Sequence, residues 1–126
     1  MEYSYTNLHP KNKKTSDCVI RAIAIAEGKE WLDVYDELCE LGRKMFNIPN
    51  SRTVYAQYLK EKGYKKHGEI RLDFGLGCYR KATVRELEEE NAIVKTNRHL
   101  LAIKDGVCRD TWDSRAEVIR GYWIKE

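Results

Sequence analysis

Apolar and polar positions along this chain follow one period in its first half and another near its end. Cys18-Val19-Ile20-Arg21-Ala22-Ile23-Ala24-Ile25-Ala26 is an almost unbroken apolar run, and Gly28 follows it. This predicts a helix from about Cys18 to Glu27, apolar on nearly every side and so central in the domain, with Gly28 as its stop. Between about Glu30 and Met45, Trp31, Val34, Tyr35, Leu38, Leu41 and Met45 recur at three- and four-residue steps. Glu37, Glu40, Arg43 and Lys44 fall largely on the other side, which predicts a second, amphipathic helix. Asn47-Ile48-Pro49-Asn50-Ser51 breaks that pattern. A third helix is expected from about Arg52 to Lys62, with Val54, Tyr55, Tyr58 and Leu59 inward and Gly63 as its end. Tyr64 to Tyr79 has no clean period and contains Gly68, Gly75 and Gly77, so it reads as a loop with one or two short extended pieces. Thr83-Val84-Arg85-Glu86 has the form of a capping box and predicts a short helix through about Glu90.

From Ala92 onward the period is two. Ala92-Ile93-Val94-Lys95-Thr96 and His99-Leu100-Leu101-Ala102-Ile103-Lys104 read as strands. Asp105-Gly106 is a hairpin turn, Val107 to Trp112 the return strand, and Tyr122-Trp123-Ile124 a last strand. Helices first and an antiparallel sheet afterwards indicate an α+β fold in a single domain spanning 1–126. The first fifteen residues are polar, contain Pro10 and read as an extended arm.

Composition narrows the function classes. The length of 126 residues suits one compact core, and the net charge of +3 is mild. Lysines and arginines are interleaved with acids, so nucleic acid is not expected as a partner. Lys11-Asn12-Lys13-Lys14 reads as a solvated entry to the first helix, the alternative being a contact with phosphate or an acidic partner. No segment approaches the ~20 apolar residues of a membrane span. Met1-Glu2-Tyr3-Ser4-Tyr5 does not read as a secretory signal, so a cytoplasmic, reducing setting without disulfides is expected. Cys18, Cys39, Cys78 and Cys108 show no C-x-x-C spacing, and there are three histidines, so neither a zinc site nor another cofactor is expected. His9 and His67 lie in polar surroundings and are expected at the surface.

Candidate chemistry centres on Cys18. Asp17 is a good N-cap residue, with Ser16 able to share the role, and a cysteine after it sits on the first helical turn. There the sulfur meets unpaired N–H groups and the positive end of the helix dipole, which favour the thiolate. A thiol enzyme also needs an imidazole and a group that orients it. With a two-residue Asp105-Gly106 turn, Lys104 faces Val107 and His99 faces Trp112. Asp110 then lies on the same side as His99, one diagonal step away, and is the better partner, with Asp113 in reserve. Trp112 either shields the His–Asp contact or is an aromatic of the sheet core. Cys108 falls on that same side and reads as core. Arg21 is the lone charge of its helix, available to a second-helix carboxylate such as Asp33 or Glu37, or to the arm before Cys18.

Three blocks carry a resemblance: Asp17-Cys18-Val19-Ile20-Arg21-Ala22, His99-Leu100-Leu101-Ala102-Ile103-Lys104-Asp105-Gly106, and Asp110-Thr111-Trp112-Asp113. Together they resemble small papain-like cysteine peptidases of bacteria and their phages, over about residues 12 to 124. The resemblance implies a nucleophile helix packed against the C-terminal sheet, and a Cys18–His99–Asp110 triad acting through a thioester acyl-enzyme on a peptide or protein substrate. It also implies an oxyanion-hole amide six residues before the nucleophile, where Asn12 stands in place of the usual glutamine. Asn12 reaches less far, while the Cys18 N–H could supply one donor. A thiol-dependent acyltransferase or transglutaminase would use the same groups. A different class, a phage or mobile-element protein that binds and blocks a host protein through this scaffold, would not need the thiol.

Overall fold

The computed structural model describes residues 1–126. In chain order the strands are β1 (Glu2–Tyr5), β2 (Tyr64–His67), a separate hairpin of β3 (Arg71–Gly75) and β4 (Cys78–Lys81), then β5 (Ala92–Thr96), β6 (His99–Lys104), β7 (Val107–Asp110) and β8 (Gly121–Lys125). The six strands outside the hairpin form one sheet in the order β1-β7-β6-β5-β8-β2. Helices α1 (Cys18–Glu27), α2 (Trp31–Met45) and α3 (Arg52–Glu61) cover one face of it, so the fold is α+β.

The apolar run that predicts α1 also decides its place. Ile23 and Ala24 are fully buried, and the helix packs along β6 against Leu100 and Ala102. Alanines at 22 and 24 let the helix approach the sheet closely. Its C-terminus is finished twice: Gly28, at φ +64, donates its N–H back to the last turn, and Lys104 Nζ from β6 donates to Ile25 O at 3.0 Å. A cation there complements the negative end of the helix dipole. The opposite sheet face has a second core of Val84, Leu87, Val94, Leu101, Ile103 and Cys108, among others. Alternation along β5 and β6 feeds both cores, which accounts for the near-continuous apolar text of these central strands.

Three expectations are corrected, and the short extended pieces expected in 64–79 form β2, β3 and the start of β4. The sheet is mixed, because β1 pairs parallel with β7, from Glu2↔Val107 to Tyr5↔Asp110. Residues 2–5 of the arm are therefore an edge strand that satisfies the outer side of β7. Tyr64–His67 is likewise an edge strand, pairing with β8, and its two exposed lysines suit an edge. The capping box at Thr83 and Glu86 forms, but the helix stops after one 3₁₀ turn, Val84–Glu86. Leu87 continues in extended backbone to reach the second core, and Glu88-Glu89-Glu90 offer only like charges to a further turn. The return strand ends at Asp110, two residues early: Thr111 N–H donates to the Asp110 side chain at 2.8 Å, and Arg115 N–H to that of Asp113 at 3.2 Å. Such local captures compete with the ladder.

Smaller departures concern side chains. Tyr35 is exposed and stacks on Trp31 at 5.3 Å between ring centroids. His9 and His67 are half-buried, lying against Trp31 and Tyr122 respectively. No helix is long and apolar enough to cross a membrane.

Candidate functional site

Asp17 stands at the cap position of α1 but makes no side-chain cap hydrogen bond. Its buried carboxylate pairs instead with Arg21, one turn on, and accepts from Trp31 Nε1 at 2.9 Å. The first amides of α1 thus keep their positive end unblunted, and Cys18 sits among them, half-buried. From the sheet side, His99 and Leu100 line the same cleft as Cys18, and both act to lower its pKa.

His99 opens β6 just after the Asn97-Arg98 turn. Its Nε2 lies 2.6 Å from Asp110 Oδ2, which leaves Nδ1 as the ring nitrogen free for another partner. Asp110 is 3% exposed, so its charge needs partners. It has them: His99 and Ser114 Oγ (2.8 Å) on Oδ2, Thr111 N–H (2.8 Å) on Oδ1, and Arg21 at 3.9 Å. The Asp110 backbone carbonyl accepts from Thr6 N–H at 2.9 Å and from the Tyr3 hydroxyl at 3.2 Å, so β1 holds this residue in place.

These contacts move both protons. Burial alone disfavours the imidazolium, but hydrogen bonds to Asp110 and Cys18, and their charges, hold the His99 pKa at about 9. Burial pushes the Cys18 thiol up. The His99 and Leu100 hydrogen bonds and the positive charges of His99 and Arg21 outweigh it and bring it below its ordinary value. Opposite shifts of these two cleft-lining groups favour a thiolate–imidazolium pair. The Cys108 thiol is raised by burial and sits in the core, 3.6 Å from Ser114 Oγ, as its core reading requires.

The site opens into a cleft of about 540 Å³ lined by α1, the 14–16 stretch, the β5–β6 turn and the 111–112 bend. Trp112 lies over His99 at 5.2 Å between centroids, and at 43% exposed it covers the imidazole without joining the sheet core.

The structure brings Cys18, His99, Asp110 and Trp112 together and leaves out two expected residues. Asp113 is turned away, gripping Arg115 with two 2.8 Å hydrogen bonds that push its carboxyl down to about 2. Asn12 is exposed and absent from the cleft wall. Residues 9–13 fold back on themselves: Asn12 N–H donates to His9 O, His9 Nδ1 accepts the Lys11 N–H, and Asn12 adopts φ +52. That loop holds Asn12 off the thiol. Asn50 is the amide-bearing residue among those that line the cleft. Its position in the pattern break after α2 is visible in sequence, but its direction is not. Ser114 lies in a polar stretch without period and gives no signal. Arg21 does give one, as a lone charge on an apolar helix. Its partners are Asp17, Asp110 and the Thr15 carbonyl, and not Asp33 or Glu37.

Compared with protein-family models, with curated proteins and with solved structures, the chain matches none.

Proposed function

We propose that this chain is a papain-like, cysteine-dependent hydrolase acting on the acyl carbon of a peptide or isopeptide bond. Cys18 and His99 on the wall of one open cleft, with Asp110 hydrogen-bonded to His99 behind it, carry the proposal. Cys18 Sγ attacks the carbonyl carbon as a thiolate. The Cys18 N–H, left free at the helix start, and the Asn50 amide stabilise the oxyanion. As the C–N bond breaks, the proton held on His99 passes to the departing amine. Water then attacks the thioester, His99 takes its proton, and the carboxylic acid leaves as the S–C bond breaks. Asp110 orients His99 and stabilises its charged form throughout. An incoming amine in place of water would turn the same steps into acyl transfer.

An activated ester tests this without knowledge of the natural substrate. Mixing the protein with p-nitrophenyl acetate is expected to release a burst of nitrophenol close to one equivalent, followed by slower turnover. The acetyl group should be found on Cys18, and the Cys18→Ala variant should show no burst. Equal release by wild type and variant contradicts the proposal and leaves the scaffold as a binding module.

A further inference from the structure

The charged side chains that line the cleft at Cys18 are of one sign. The residues lining its cleft include Lys14, Arg21, Lys95 and Arg98 and no aspartate or glutamate. Arg21 is spent on Asp17 and Asp110. The other three have no carboxylate within the 4.0 Å of an ion pair, unlike Lys29, Arg80 or Arg115. In a chain with 23 basic and 20 acidic residues, an acid-free cleft with three unpaired cations is a local departure.

The three cations stand on opposite walls. Lys14 is exposed on the stretch leading into α1. Lys95 faces Leu100 across β5 and β6, so it shares the sheet face of Leu100, which lines the cleft with Cys18. Arg98 is exposed in the turn directly before His99. A ligand whose carbonyl sits on Cys18 thus has a positive wall on either side. Thr15, Ser16, Asn50 and Thr111 add groups suited to a polar backbone, and Tyr55 and Trp112 add aromatic surface.

We propose that the cleft selects acidic peptide segments, with aspartate or glutamate side chains flanking the carbonyl that Cys18 attacks. This rests on the thiol hydrolase reading above, which requires an acyl group in the ligand and so favours a peptide over a nucleic acid. One-signed clefts concentrate oppositely charged ligands and speed their capture by about 10- to 1,000-fold at low salt.

Three affinity labels of matched size test the proposal: iodoacetyl-Glu-Glu-amide, iodoacetyl-Gln-Gln-amide and iodoacetyl-Lys-Lys-amide. In each, the Cys18 sulfur forms an S–C bond as iodide leaves, and mass spectrometry follows the rate. At low salt the Glu-Glu label should react about tenfold or more faster than the Lys-Lys label, with Gln-Gln between them. The ratio should collapse in high salt. It should also fall in Lys95→Glu/Arg98→Glu and, on the opposite wall, in Lys14→Glu, each variant being read by its own label ratio. Fast labelling of Cys18 at equal rates by all three overturns the proposal and leaves the hydrolase reading standing. Labelling by all three no faster than free cysteine removes the hydrolase reading itself. If an oligothymidylate protects Cys18 better than an oligoglutamate of equal charge, the cleft is a nucleic-acid site and the proposal fails.

Discussion

Asp110 shows how much protein is needed to keep one carboxylate useful. Burying a charge costs several kcal/mol unless it is paired and hydrogen-bonded. Three donors reach its side chain and two more hold its backbone carbonyl. Its effect is read through His99, whose pKa of about 9 stands above an ordinary 6.5. Asp110→Asn keeps the shape and removes the charge, so the His99 ring should titrate closer to 6.5 by NMR. A raised imidazole stabilises the fold fully below its unfolded pKa and loses that contribution as pH climbs through its folded pKa. The Cys18 thiol, lowered on folding, acts in the opposite sense: its contribution is present above the ordinary thiol range and lost as pH falls. The comparison therefore belongs in a Cys18→Ala background. There, the difference in urea stability made by adding Asp110→Asn should be widest near pH 6 and should shrink toward pH 10. A difference that does not change with pH would show that Asp110 does not stabilise charged His99.

Elements built from local pattern are legible in the sequence, and elements built from distant pairing are not. The sequence window around α1 contains both its apolar surface and its stop, and the observed helix runs Cys18–Glu27 as the pattern predicts. By contrast, β1 pairs with a strand at the far end of the chain, and nothing local in Glu2-Tyr3-Ser4-Tyr5 announces that. Asp110 is traceable because one tight hairpin fixes its distance from His99. Asn12 is misplaced by its spacing from Cys18, because spacing along a chain says nothing of the left-handed turn it adopts. The segment after α2 carries a further test. Glycine to alanine inside a helix ordinarily gains about 1 kcal/mol. At buried Gly42, however, a Cβ would lie 2.8 Å from Asn47 O and 3.2 Å from Pro49 Cα, both backbone atoms. Overpacking of this kind costs about 1–3 kcal/mol. Gly42→Ala should therefore lower the unfolding midpoint and, by shifting 47–50, displace Asn50 and slow the acetyl burst. A more stable variant with an unchanged burst would show that this loop yields freely.

The whole molecule divides the work between two layers. The helical layer delivers a thiol at an uncapped helix start, and the sheet delivers imidazole and carboxylate on adjoining strands. On the proposed reading neither layer alone makes a nucleophile, and unusual reactivity of Cys18 would belong to the assembled fold. The other thiols serve as internal controls: Cys78 is exposed, Cys39 half-buried, and Cys108 buried with its pKa raised. The most direct test is the rate of iodoacetamide alkylation at each cysteine as a function of pH, read by mass spectrometry in native protein and in urea. The account predicts that native Cys18 reacts faster than exposed Cys78 at pH 6, its rate rising at lower pH than that of Cys78. In urea its rate should fall to that of Cys78. A native Cys18 rate that tracks Cys78 and rises only through the ordinary thiol range near pH 8.5 would contradict the account.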